Sequence, residues 1–157
     1  MVILCSLMFV GATYGQTFES EGKLRNTVKL PTAVLALLKK TEEVKHCSEE
    51  AEFSPGWFRA IKINVNDDGK PDYLVKSELS CLYGPRAATW WIYSQGPKGF
   101  SLVFNDTVLS LTIGGRKTNG YRDIQTDTTM VNIIRNTWKY NGHVYKLKST
   151  KEIEPGK

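Results

Sequence analysis

Apolar and polar positions along this chain change period once, and the change separates a helical segment from a long run of strands. In "LPTAVLALLKKTEEV", residues 30–44, the positions Leu30, Val34, Leu37, Leu38, Thr41 and Val44 fall on one face at helical spacing. This predicts one amphipathic helix, with Pro31 tolerated in its first turn, where a backbone N–H would lack an intrahelical acceptor anyway. Beyond it the period is two. Ile61, Ile63 and Val65 alternate with Lys62, Asn64 and Asn66, as in a strand with one face toward a core. Further strands are predicted near 73–79, 89–94, 99–105, 108–113, 121–126, 131–140 and 143–148, separated by "NDDGKP", "YGPR", "SQGPKG", "ND", "GGRKTNG" and "YNGH". Short strands with turns at such regular intervals imply a mainly β (α+β) fold, a helix packed on an antiparallel β-meander. A single β-rich domain over 20–150 is expected, followed by a flexible tail over 151–157. In "TWWIY", Trp90 and Ile92 share one strand face, and Trp91 and Tyr93 share the other.

The first twenty residues break the pattern. "MVILCSLMFVGATYGQTFES" has no charge before Glu19, an apolar run from Val2 to Val10, and then small residues. That order reads as a secretory signal over 1–15, cut after Ala12 or Gly15; the alternative is a buried N-terminal strand. The run is shorter than the roughly 20 residues a membrane-spanning helix needs. Removal of a leader would take Cys5 and leave Cys47 and Cys81, an even number suited to an oxidising compartment. Paired, they would close a loop of about 35 residues and stabilise the fold by about 3–4 kcal/mol; unpaired, they would be two buried thiols. A secreted or periplasmic location follows from the leader and the pairing together.

At 157 residues the chain has room for one ordinary domain. The hydrophobic fraction of 41% and charged fraction of 24% are those of a globular protein. A net charge of +5, with Lys and Arg scattered along the sequence, gives some attraction to anions but no nucleic-acid footprint.

One stretch has metal-ligand spacing. In "NVNDDGKPDYLV", residues 64–75, oxygen-bearing Asn64, Asn66, Asp68 and Asp72 stand at positions 1, 3, 5 and 9 of a calcium loop. Gly69 stands at the position of the sharp turn, and Lys70 where a backbone carbonyl would ligate. The first position is Asn and the twelfth is Val75, so the site is short of carboxylate charge, and a Kd on the order of 10⁻⁴–10⁻³ M would follow. The same residues also suit a plain Asx-rich turn.

The stretch resembles the D-x-N-x-D-G-x-P-D-x-x-V loop of FG-GAP and VCBS-type repeats, over about 45 residues from Trp57 to Phe104. The resemblance implies calcium held by Asn64, Asn66, Asp68 and Asp72 between two strands. A whole propeller of four or more blades would not fit in this length. "GKPDYLV" at Gly69–Val75 and "GYRDIQT" at Gly120–Thr126 share G-x-x-D before a strand, and Trp91 and Trp138 follow at similar separations. Two pseudo-repeated units are therefore expected.

Catalytic signatures are thin. The chain has two histidines and no G-x-S-x-G, H-E-x-x-H or phosphate-cradling glycine motif. His46 reads as the end of the helix and His143 as a hairpin turn, while Asp123 and Asp127 form a carboxylate pair without a pocket signal. The aromatics Trp91 and Tyr93 beside Arg86, Arg116, Lys117 and Arg122 make a candidate partner-binding surface. The leading expectation is a secreted or periplasmic, non-catalytic binding or inhibitor module for a protein or cell-wall carbohydrate, without nucleic acid. Alternatives are a small secreted hydrolase and a calcium-stiffened surface domain.

Overall fold

The computed structural model describes residues 15–82, 84, 86–129 and 132–154. The expected leader, with Cys5, lies outside them save for Gly15.

Among the described residues the chain forms nine strands and two short α-helices: β1 (Gln16–Glu19), α1 (Thr32–Leu38), α2 (Glu42–Ser48), β2 (Phe58–Ile63), β3 (Asp72–Ser77), β4 (Ala88–Gly96), β5 (Gly99–Val108), β6 (Ser110–Thr118), β7 (Tyr121–Thr129), β8 (Ile133–Tyr140) and β9 (Tyr145–Ile153). The mainly β class is as read from the sequence. The strands make two antiparallel sheets, one in the order β2-β3-β4-β5 and one in the order β1-β6-β7-β8-β9. Each contains four consecutive strands joined as a meander. Between β5 and β6 only Leu109 intervenes, and there the chain passes from one sheet to the other.

Three layers result, with a core on either side of the four-stranded sheet. Between the sheets lie Ile61, Ile63, Leu74, Trp90, Ile92, Phe104, Leu111, Ile113 and Ile124. Between the four-stranded sheet and the helices lie Val34, Leu38, Val44, Phe58, Val75, Trp91 and Tyr93. Covered on both faces, β3 is buried at every position, whereas β2 still exposes Arg59 and Lys62. Cys47 and Cys81 form a disulfide with Cα atoms 6.0 Å apart, tying α2 to the 3₁₀ turn Ser80–Leu82.

Several expected boundaries are corrected. The single helix over 30–44 is two helices, because Thr41 takes an extended backbone (ψ 145°) ahead of α2. The Thr41 hydroxyl donates to the Leu38 carbonyl (2.9 Å), a local bond that competes with helix continuation. Glu42 and Glu43 then begin α2 and Lys45 and His46 end it, in the order the helix dipole favours. The buried positions Val34, Leu38 and Val44 still share one layer, so the amphipathic pattern survives the break. "GGRK", read as turn, is strand: the β6–β7 register shifts between Ile113 and Lys117, and the extra residues are absorbed as an irregularity in β6. The reversal is instead made by Asn119 (φ 49°) and Gly120 (φ 84°), the left-handed pair of a tight hairpin. "ND" at 105–106 lies inside β5, and Lys151, Glu152 and Ile153, expected as tail, belong to β9. The edge strand β1 falls just after the expected leader, within the twenty residues whose alternative reading is a buried N-terminal strand, and only its Phe18 is buried.

Candidate functional site

The 64–72 loop joins β2 to β3, and its polar side chains serve its own backbone. Asn64 Oδ1 accepts from the Asp67 N–H (2.6 Å), Asn66 Oδ1 from the Asp68 N–H (3.2 Å) and Asp68 Oδ1 from the Lys70 N–H (2.8 Å). Asp67 at φ 58° and Gly69 at φ 78° supply the left-handed conformations that the turn needs. Asp72 is fully buried, and its two carboxylate oxygens accept from the Val65 N–H (3.0 Å) and the Gln95 N–H (3.1 Å). Burial pushes the Asp72 carboxyl above its usual range, opposed by those two amides and by Ser94.

The same loop is clamped to the second sheet. The Arg122 N–H donates to the Val65 carbonyl (2.7 Å), and the Arg122 guanidinium reaches both oxygens of Asp67 (3.1 and 3.2 Å). Lys117, opposite Arg122 in the ladder, ion-pairs with the same carboxylate. These two cations hold the Asp67 carboxyl below its ordinary value, the Lys117 hydrogen bond contributing most. Both oxygens of Asp72 face amides, and two positive side chains stand beside the loop, where a calcium site needs negative charge.

Next to the clamp is a group of tyrosines. Tyr121 and Tyr140 are stacked with centroids 3.8 Å apart, and Tyr145 meets both edge-on at 6.3 and 5.6 Å. The Tyr121 hydroxyl shares a hydrogen bond with Ser94 (3.0 Å), and the Tyr145 hydroxyl donates to the Arg122 carbonyl (2.7 Å). Burial and the neighbouring Tyr121 push Tyr140 up to about 12. With ionisation so disfavoured, and with the Tyr121 hydroxyl bonded to Ser94 of the other sheet while Tyr145 bonds within its own, the group locks the end of the sandwich.

The expected aromatic and basic surface is not assembled. Trp91 and Tyr93 are fully buried against the helices, because the face of β4 opposite Trp90 and Ile92 is covered by a second layer. Their polar atoms, Trp91 Nε1 and Tyr93 Oη, have no hydrogen-bond partner among the described residues. Lys117 and Arg122 are committed to Asp67, Arg116 is exposed in the irregular part of β6, and Arg86 lies near Glu21 (3.6 Å) in the segment before β4. His46 and His143 are exposed, in α2 and in the β8–β9 turn. The carboxylates Asp123 and Asp127 are engaged, by Thr118 (2.7 Å) and by a bidentate contact from Arg135 (2.8 and 2.7 Å).

What linear reading missed is where the charge goes. Between Ser110 and Ile153, the span of β6–β9, there are eight Lys and Arg against three Asp and Glu; that excess of five equals the excess of the whole chain. In the opposite layer, Glu42–Glu52 carries five glutamates and one lysine. Since Ile124 and Trp138 point into the core side of the five-stranded sheet, alternation sends Gln125, Asp127, Arg135, Thr137 and Lys139 to its other face. No element among the described residues covers that face. Protein-family models, curated proteins and solved structures were compared with the chain, and none matches.

Proposed function

We propose that this chain is an exported, non-catalytic binding module that presents the open face of its five-stranded sheet to an anionic partner. The observation that carries this reading is that the five-stranded sheet, whose outer face no described element covers, turns Arg135, Lys139, Lys146 and Lys151 to that face against Asp123 and Asp127. Two further features support it. The Cys47–Cys81 disulfide suits an oxidising compartment, in line with the leader-like first fifteen residues. The opposed signs of the helix layer and the open sheet give the molecule a dipole that would orient it toward a negative surface. In the same reading the two meanders are copies of one unit: Gly69 and Gly120, both at positive φ, sit in the turns between the first two strands of each, and Trp91 and Trp138 sit on the third.

The test separates location from net charge. Lys146→Glu with Lys151→Glu, and Lys40→Glu with Lys98→Glu, change the net charge equally, the first pair on the open face and the second elsewhere. Retention on a carboxymethyl-polymer surface at about 50 mM salt, where screening is weak, should be lost only for the first pair. Equal loss for both pairs would refute the open face as the binding surface.

A further inference from the structure

Five side chains form one row across the open face, one from each strand. The register pairs Thr17 with Thr112, Thr112 with Gln125, Gln125 with Thr137, and Thr137 with Ser149. All are uncharged hydrogen-bonding groups. At β8 and β9 the row is flanked by Lys139 opposite Lys146 on one side and by Arg135 opposite Lys151 on the other, and at β7 by Asp123 and Asp127. Like charges placed directly across a ladder disfavour an empty sheet. Lys139 is near Asp123 (3.8 Å) and Arg135 is bound by Asp127, but Lys146 and Lys151 have no carboxylate within ion-pairing distance among the described residues.

We infer that this row is a binding track for a linear acidic polysaccharide of the polyuronate type, an inference that rests on the open face being the binding surface. Strands stand about 4.8 Å apart. An extended glycan advances by roughly that distance per sugar, so successive sugars would meet successive strands. The Thr, Gln and Ser groups match sugar hydroxyls, which need both donors and acceptors. Lys146 and Lys151, with Lys139 and Arg135 beside them, match carboxylates on the sugars that lie over β8 and β9. A nucleic-acid strand fits less well: neither the row nor its flanks carry an aromatic ring on which a base could stack.

The decisive variant leaves the charge alone. Gln125→Ala with Thr137→Val removes two hydrogen-bonding groups from the centre of the row, at surface positions suited to strand residues. Binding is measured by calorimetry with oligogalacturonate, with poly-glutamate of similar charge, with single-stranded DNA and with neutral pullulan, after matching melting temperatures. Wild type should bind oligogalacturonate more tightly than the other three. The row variant should lose about tenfold for oligogalacturonate, the effect of one or two hydrogen bonds, and nothing for poly-glutamate. Lys146→Glu with Lys151→Glu should lose both. An unaffected row variant, or equally tight poly-glutamate or DNA, would overturn the polysaccharide track while leaving the basic face as the binding surface. Loss of the basic face itself would show only in the Lys variants.

Discussion

Asp72→Ala is the sharpest test of how the 64–72 loop works. In the structure this buried carboxylate is the acceptor for two amides, Val65 N–H in the loop and Gln95 N–H near the end of β4. Truncation leaves both donors without it, and an unsatisfied buried donor costs about 1–3 kcal/mol. Two offsets reduce the sum: burial already disfavours the ionised carboxylate, as its raised pKa shows, and Gln95 lies close enough to the surface for water to replace part of the bond. A net loss of about 3 kcal/mol is expected. With roughly 140 ordered residues and an unfolding entropy of about 2.1 cal/mol/K per residue, that lowers Tm by about 10 °C. Asp72→Asn, which keeps one acceptor but turns an amide N–H toward the other donor, should fall between. The measurement is a pair of thermal and urea unfolding curves, in EDTA and in millimolar calcium. A turn stapled by Asp72 loses the same stability in both, whereas a calcium ligand would lose it only with the metal present. A loss under about 1 kcal/mol, or one seen only with calcium, would refute the stapling argument.

Two further outcomes follow from the same geometry. Replacing both Cys47 and Cys81 by Ala frees a loop spanning a sequence separation of 34 and should cost about 4 kcal/mol. By the same entropy scale Tm should fall by roughly 13 °C, while the far-ultraviolet circular dichroism of the folded protein stays unchanged; a shift of only a few degrees would contradict it. Asp67→Asn, which tolerates the left-handed backbone but removes the charge held by Lys117 and Arg122, should melt below wild type at neutral pH. Because the folded-state pKa of Asp67 is depressed, its contribution is fully present above the unfolded value of about 4 and disappears as pH falls through the folded value. The gap between the two proteins should therefore close below about pH 4, and a gap that persists in strong acid would show that the clamp is not the cause.

Local chemistry explains which parts of the fold were legible. Alternation at 61–66 and the turn residues between the later runs located the strands from β2 to β9, including β3, which is buried at every position and shows no alternation of its own. They located the ends less well where two rules competed. "GGRK" carries turn residues yet lies in β6, since a bulge in an antiparallel ladder also accommodates glycines, and the true reversal fell to the neighbouring Asn119–Gly120. Lys39–Thr41 kept the helical period while breaking the helix, because period reports which face is buried and not whether the backbone is continuous. β1 was hidden by its length of four residues, only Phe18 of which is buried. Trp91 and Tyr93 were placed correctly on the face opposite Trp90, but one strand cannot say whether helices cover that face.

The loop and the charged sheet show two different limits of reading residues in order. Asn64, Asn66, Asp68 and Asp72 have metal spacing because a calcium loop and an Asx-rich turn ask the chain for the same things: short oxygen-bearing side chains at alternate positions and a glycine at the bend. Spacing therefore cannot separate them. What separates them is the direction of Asp72, which depends on whether amides from elsewhere await it, and one of those, Gln95, comes from the neighbouring strand β4, 23 residues further along the chain. Charge fails in the opposite way. Arg135, Lys139, Lys146 and Lys151 look dispersed in sequence, with strand-like gaps between them, and pairing β8 against β9 places them in two facing pairs. A meander converts distance along the chain into adjacency across it, so a surface made by cross-strand rows leaves no motif in the linear order. The row from Thr17 to Ser149 draws on residues at both ends of the described chain, and it exists only because β1 pairs with β6 at the far edge of the sheet from β9.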